Sequence, residues 1–463
     1  MPINSFLYPA KNVPVVYEVA NSLRFNNDSS DNLSRTPSSA SNRRTFTFST
    51  WFKLSGTDGS FISAGTDISN GPLFIIDILS GGNEGILRIE DTVSGNNVIA
   101  LRTTRKFRDP SAWINIVVAI DTTQSTASDR VKLYINGTQE TSFLSSYQTY
   151  PTQNLELAIN NTHEHRIGTR AANTSGKFFD GYMCETVLID GSQLDPTSFG
   201  EFDSDSPRIW KPKDVSGLTF GTYGFYLDFK DSSNLGNDAN GGTDFTETNL
   251  DATDQATDTC TNNFCTANPL DQNGSYTLSQ GNCQLSSGHT SWFNIGSTIA
   301  VANGKWYWEV EFDAGTMIEI MVGIHDTSVN RTDTNSWVTG STLFYNDSGG
   351  EIRTDGTDST ANYGTLSAGD ILGIALNMDD KQITLLKNGS AIASNVAIST
   401  SITEAIPTFL TDANNVVFKV NFGGSPSFTV SSGNADGEGY GNFEFAPPSG
   451  YFSLCTKNLA EYG

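Results

Sequence analysis

The chain has 463 residues, 37% of them hydrophobic and only 17% charged, with a net charge of -24 from 27 Lys plus Arg against 51 Asp plus Glu. So negative a surface is repelled by phosphate backbones and anionic membranes, which argues against nucleic acid as a partner, and no stretch approaches the ~20 apolar residues of a membrane-spanning helix. The length fits two domains of about 100–200 residues each, and the abundance of Gly, Ser, Thr, Asn and Asp favours short strands joined by turns, an all-β chain without long helices.

The chain opens with MPINSFLYPAKNVPVVYEVA, which has no basic run followed by an apolar core, so no secretion signal is read there. Pro2, Pro9 and Pro14, set among Phe6, Leu7, Tyr8, Val13, Val15 and Val16, block a helix and predict an extended arm over residues 1–17. Such an arm cannot bury its own apolar side chains. It needs either the domain that follows it or the surface of a larger assembly.

Residues 18–203 read as strands throughout. RTFTFSTWFKL (44–54) alternates, with Phe46, Phe48 and Thr50 on one face and Thr45, Thr47, Ser49 and Trp51 on the other. WINIVVAIDTT (113–123) and DRVKLYINGTQE (129–140) follow, and Asn136-Gly137 predicts a hairpin turn because both positions tolerate positive φ. HRIGTRAANTSGKFFDGYMCETVLIDGSQLD (165–195) adds two strands around a polar loop. These motifs resemble the laminin G/concanavalin A-like family, in which a Trp-led strand precedes a strand ending Tyr-x-Asn-Gly and a Phe-x-Gly-x-Met-x-Glu strand closes the fold. The resemblance implies a two-sheet jelly roll.

Residues 204–272 are rich in Asp, Asn, Gly and Thr and show one clear strand, GFYLDF (224–229), so they read as a connecting segment. Asp231, Asn234, Asp238, Asn240 and Asp244 place oxygens close together on a Gly-rich turn. An Asx-turn cluster and a calcium site both fit, although the spacing is not that of an EF-hand loop.

Residues 273–463 form a second β pattern: GKWYWEVEF (304–312), IEIMVGIHD (318–326), GDILGIALNMDDKQITLLKNGS (369–390) and VFKVNFGG (417–424). Together they resemble the SPRY family, a β-sandwich with a Gly-x-Trp-Tyr-Trp-Glu-Val strand, a Val-Gly-Ile strand, a Leu-x-x-x-x-Asn-Gly hairpin and a final Asn-Phe-Gly. On the first strand Trp306, Trp308, Val310 and Phe312 should face the core, with Glu309, Glu311 and Asp313 on a solvated face. Carboxylates beside aromatics invite comparison with glycoside hydrolases, but a hydrolase also needs an acid of raised pKa in a cleft. The four His lack metal-ligand spacing, and no nucleophile elbow or phosphate loop is present. The chain is therefore expected not to be an enzyme. Aromatics beside Asn, Asp and Gly suit sugar or peptide recognition, and Trp337, Tyr345, Asn346, Asp347 and Tyr363 are the candidate contacts.

The five cysteines, Cys184, Cys260, Cys265, Cys283 and Cys455, imply no disulfide framework. They read as free thiols, with a bridge from Cys260 to Cys265 or Cys283 as the alternative.

The order of arm, laminin G-like domain and SPRY-like domain, with the run DGSQLDPTSFGEFDSDSPRIWKPKDVSGLTFGTYGFYLDF between (190–229), resembles virion proteins of tailed bacteriophages, especially marine ones. What this implies is a fibre, spike or decoration assembled in the host cytoplasm, anchored by its N-terminus to other virion proteins, oligomeric on the particle, and directed at host-surface glycan or protein. A particle-borne glycan depolymerase and a bacterial extracellular adhesin module are the alternatives.

Overall fold

A computed structural model describes residues 17–66, 71–171, 177–274, 276–314, 319–331 and 336–463. Of the arm read over residues 1–17, all but Tyr17 lies outside the described residues.

The alternation of Thr45–Leu54 builds the N-terminal sandwich from its centre: Phe46, Phe48 and Phe52 enter the main core, while Trp51 packs on the opposite side. The sheet around it runs, in spatial order, through Thr138–Glu140, Val131–Ile135, Ile114–Asp121, Thr45–Leu54, Gly181–Asp190, Ser22–Phe25 and Gln255–Ala256. The facing sheet runs through Phe143–Thr149, Asn96–Lys106, Ile86–Val93, Leu73–Leu79, Gly59–Gly65, Glu164–Ile167, Asn32–Arg35 and Thr246–Thr248. The expected hairpin turn has φ of 46° at Asn136 and 74° at Gly137, and it returns Val131–Ile135 onto Thr138–Glu140.

The stretch 204–272, expected as a connector with one strand, contributes to both sandwiches. Phe225–Leu227 pairs with Gly181–Asp190, Thr246–Thr248 with Asn32–Arg35, and Ala267–Gln272 with Phe293–Ser297. Phe225, Leu227, Phe245 and Leu250 are apolar anchors of the first core, and the polar turns between them give the segment its linker-like composition.

In the C-terminal sandwich one sheet runs through Ala267–Gln272, Phe293–Ser297, Ala405–Thr411, Ile320–Asp326, Ser341–Asn346, Glu351–Thr354 and Thr357–Asp358. Its mate runs through Tyr276–Ser279, Gln284–Ser287, Val417–Asn421, Lys305–Ala314, Ile371–Asn377, Gln382–Lys387 and Ser390–Ala397. Trp306, Trp308, Val310 and Phe312 fill the core between them, as their spacing predicts.

Glu309 departs from the expected solvated face, because it is fully buried. The segment around 434–445 lies over that face, and Glu309 accepts the N–H groups of Glu444 and Phe445 at 3.0 and 2.8 Å, with Asn421 Nδ2 and Tyr307 Oη each at 3.1 Å. Burial pushes its carboxyl up to about 6. Glu311 and Asp313 share Lys419 at 3.4 and 3.0 Å. All five cysteines are free; the sulfur nearest Cys260 is that of Cys184, 3.5 Å away, and not that of Cys265 or Cys283.

The sandwiches are joined through buried polar contacts. Lys53, on the central strand of the first, donates to Asp258 Oδ2 at 2.8 Å, Asn263 Oδ1 at 2.7 Å and Phe264 O at 2.9 Å, which uses all three of its N–H bonds. Trp113 Nε1 donates to the other Asp258 oxygen at 2.9 Å. Arg24 reaches Asp254 at 3.1 Å and the Ser425 hydroxyl and Pro426 carbonyl, also at 3.1 Å.

Candidate functional site

Strand alternation sets the outer face of the sheet that carries Ile320–Asp326 and Ser341–Asn346. Ile320, Val322, Ile324 and Phe344 point into the core, so Met321, Leu343 and Tyr345 point away from it, joined by Leu410. Over this apolar patch lie two half-buried indoles, Trp292 and Trp337. Their rings are 5.1 Å apart at 56°, and Trp292 meets Tyr345 at 6.0 Å and 69°, an interlocking edge-to-face arrangement. The Arg353 guanidinium stands 4.4 Å from the Tyr345 ring centroid and is held bidentately by Asp358 at 2.6 and 2.8 Å. Tyr345 donates its hydroxyl to Glu319 at 2.5 Å, and burial, reinforced by that carboxylate, keeps the phenol protonated. The result is an aromatic shelf with one fixed cation and polar edges.

The candidate contacts divide around this shelf. Trp337 and Tyr345 form it. Asn346, one residue on, faces inward, and its side chain bonds the backbone of Leu366 through both N–H and oxygen at 2.8 and 3.3 Å. Asp347 caps the following turn by accepting the Gly349 and Gly350 N–H groups at 2.9 and 3.3 Å. Tyr363 packs against the main core. Trp292 lies in the loop GHTSW (288–292), just ahead of the strand Phe293–Ser297, and was not among the sequence candidates; a lone Trp in a polar loop, outside any strand period, is the signal that could have found it.

A carboxyl pair borders the shelf. The hydrogen bond with Asp347 pushes Glu351 up to about 7, while Asp347, despite its desolvation, is held low by Glu351 and the turn amides.

The oxygen-rich loop is folded on itself. Asn234 donates to Asp244 Oδ2 at 2.9 Å, and the Asp238 N–H to Asp244 Oδ1 at 2.9 Å. Asp238 accepts the N–H groups of Tyr226 and Asn240 at 3.0 and 3.1 Å and lies 3.6 Å from Arg35, while Asp231 caps Ser233 at 2.9 Å. Among the described residues no three His, Cys, Asp or Glu side chains are grouped to hold a metal. Hydrogen bonds and Arg35 already engage these carboxylates.

Residues 27–193 match the family described as the concanavalin A-like lectin/glucanases superfamily, and residues 305–425 match the SPRY domain. The chain joins a concanavalin A-like domain to a SPRY domain. No curated protein matches it. Among solved structures, the SPRY domain of human HERC1 is similar at 17% identity, covering 33% of this chain and 96% of its own, with a TM-score of 0.29. A heptameric SAP-like pentraxin from Limulus polyphemus is 14% identical over 39% of this chain and 80% of its own, with a TM-score of 0.28. Trp337, Tyr345 and Arg353 of the shelf lie within the SPRY match and Trp292 lies ahead of it, while the oxygen-rich loop follows the concanavalin A-like match.

Proposed function

We propose that the protein is a non-catalytic adhesion component of a bacteriophage particle, and that its SPRY domain binds host-surface glycan through Trp292, Trp337 and Tyr345. The observation that carries the binding reading is the half-exposed pair of indoles packed beside Tyr345, whose ring also meets Arg353, since sugar rings stack on such faces while charged edges hold hydroxyls. The virion setting is supported by the run 190–229, and in it residues 1–17 would attach the chain to other virion proteins and set copies side by side.

The full chain, applied to host cells and to a glycan array, should adhere, and Trp292→Ala with Trp337→Ala should weaken adhesion by about tenfold or more. Unchanged adhesion would refute the shelf, and adhesion only to protease-sensitive surfaces would replace glycan by protein. Turnover of any polysaccharide would overturn the non-catalytic reading. Imaging of intact particles labelled at the C-terminus of the chain tests the virion setting.

A further inference from the structure

The densest run of cations in this acidic chain is RTTRKFR, residues 102–108, at the end of the strand Asn96–Lys106. Phe107 pins it. Its ring is buried 6.0 Å from Phe52, and its N–H donates to the Gly85 carbonyl at 2.7 Å. With Phe107 turned inward, its neighbours Lys106 and Arg108 are exposed. Arg105 is balanced by Glu140 at 3.5 Å, but among the described residues neither Lys106 nor Arg108 has a carboxylate partner. Two unpaired cations held side by side make a local positive field on a molecule of net charge -24.

Two clefts meet there, sharing Phe107 and Arg108. One, of about 500 Å³, lies between the sandwiches, with Pro110 on one wall and Pro269 and Leu270 on the other; Leu270 is 69% exposed. The second, of about 350 Å³, continues past Arg105 and Lys106. Asp109 and Glu84 also border the clefts; Asp109 Oδ1 accepts the Ser111 N–H and hydroxyl at 2.8 and 2.5 Å, and among the described residues neither acid forms an ion pair with Lys106 or Arg108.

We propose that this seam binds an acidic oligosaccharide, with its anionic groups on Lys106 and Arg108 and its C–H ring faces against Pro110, Pro269 and Leu270. Apolar walls next to fixed cations match a sugar that carries both hydrophobic ring faces and charge, and clefts of this size suit a few sugar rings. The proposal shares the glycan reading given above but not its site.

The test is calorimetric titration of the full chain with three oligosaccharides of equal length: one of uronic acids, one of sulfated galactose and one neutral. At least one acidic probe should bind, about tenfold or more tighter than the neutral one, with affinity falling as salt rises from about 50 to about 300 mM. The preferred acidic probe tells carboxylate from sulfate. Lys106→Ser with Arg108→Ser should weaken it about tenfold without lowering the melting temperature, because both side chains are exposed. Trp292→Ala with Trp337→Ala should leave it unchanged, so retained acidic binding with no glycan at the shelf supports the seam and refutes the shelf alone. No binding of either acidic probe, equal affinity for the neutral one, or full affinity in the Lys106/Arg108 variant would overturn the proposal.

Discussion

Asp91 is fully buried in the N-terminal sandwich, where Oδ2 accepts the Ala158 N–H at 2.9 Å and Oδ1 has no hydrogen-bond partner among the described residues. Burial pushes its carboxyl up to about 7, and burial does the same to Asp180 and Glu185. A carboxyl whose folded value lies above its unfolded one contributes stability at low pH that is lost as pH rises through about 7. Buried His165 has the opposite sign: burial holds it down to about 4, so its contribution is present above about 6.5 and is lost as pH falls towards 4. Between about pH 6.5 and 8 the carboxyls dominate, and the melting temperature should be higher at the lower value. Asp91→Asn should stabilise the protein at pH 8 by on the order of 1–3 kcal/mol and shrink that difference; identical melting curves for the wild type across the interval would rule this out. His165 also shows a limit of sequence reading. Nothing in its local sequence marks it as interior, yet it is buried and accepts the Asn160 N–H at 2.9 Å. The run Tyr345, Asn346, Asp347 carries a similar lesson, because neighbours in a strand point to opposite faces and only Tyr345 joins the shelf.

At the level of elements, a strand with one drier and one wetter face, such as Gln382–Lys387, is legible from its alternation. Leu73–Leu79 and Ile86–Val93 are buried on both sides. Their outward charges neutralise one another, with Arg88 at 2.6 Å from Asp77 and 3.3 Å from Glu90, and Arg170 at 3.0 Å from Asp77. Arg88 and Glu90 pair within one strand, but the Asp77 pairs cross between separate segments and are not written in either one. The same holds for Glu309, whose carboxylate is satisfied by a segment more than a hundred residues later in the chain. Glu309→Ala would orphan the Glu444 and Phe445 N–H groups and should cost roughly 2–4 kcal/mol. Hydrogen exchange should then quicken across 434–445 before the rest of the SPRY domain; unchanged protection there would show that Glu309 does not hold the segment.

For the whole molecule, the two domains were legible from their motifs, whereas the contact between them was not. Its centre, Lys53 with Asp258, joins residues 205 apart in sequence, and Asp258 sits among polar residues that read as a linker. Both side chains are about 1% exposed, so neither charge has water to fall back on. Asp258→Ala should therefore destabilise the protein by about 3–5 kcal/mol and separate one calorimetric transition into two. A single transition at full stability in that variant would mean the sandwiches are coupled by other contacts.

The lysine clamp also bears on how the molecule would meet a surface. Two modules on a loose tether sample many spacings, whereas modules bolted through a buried ion present their grips at one separation and one heading. A pull on either half is passed to the other as torque instead of being lost in swivelling. Selectivity would then follow the pattern in which ligands are spread over the target, and a densely but wrongly spaced coat would be held by one grip at a time.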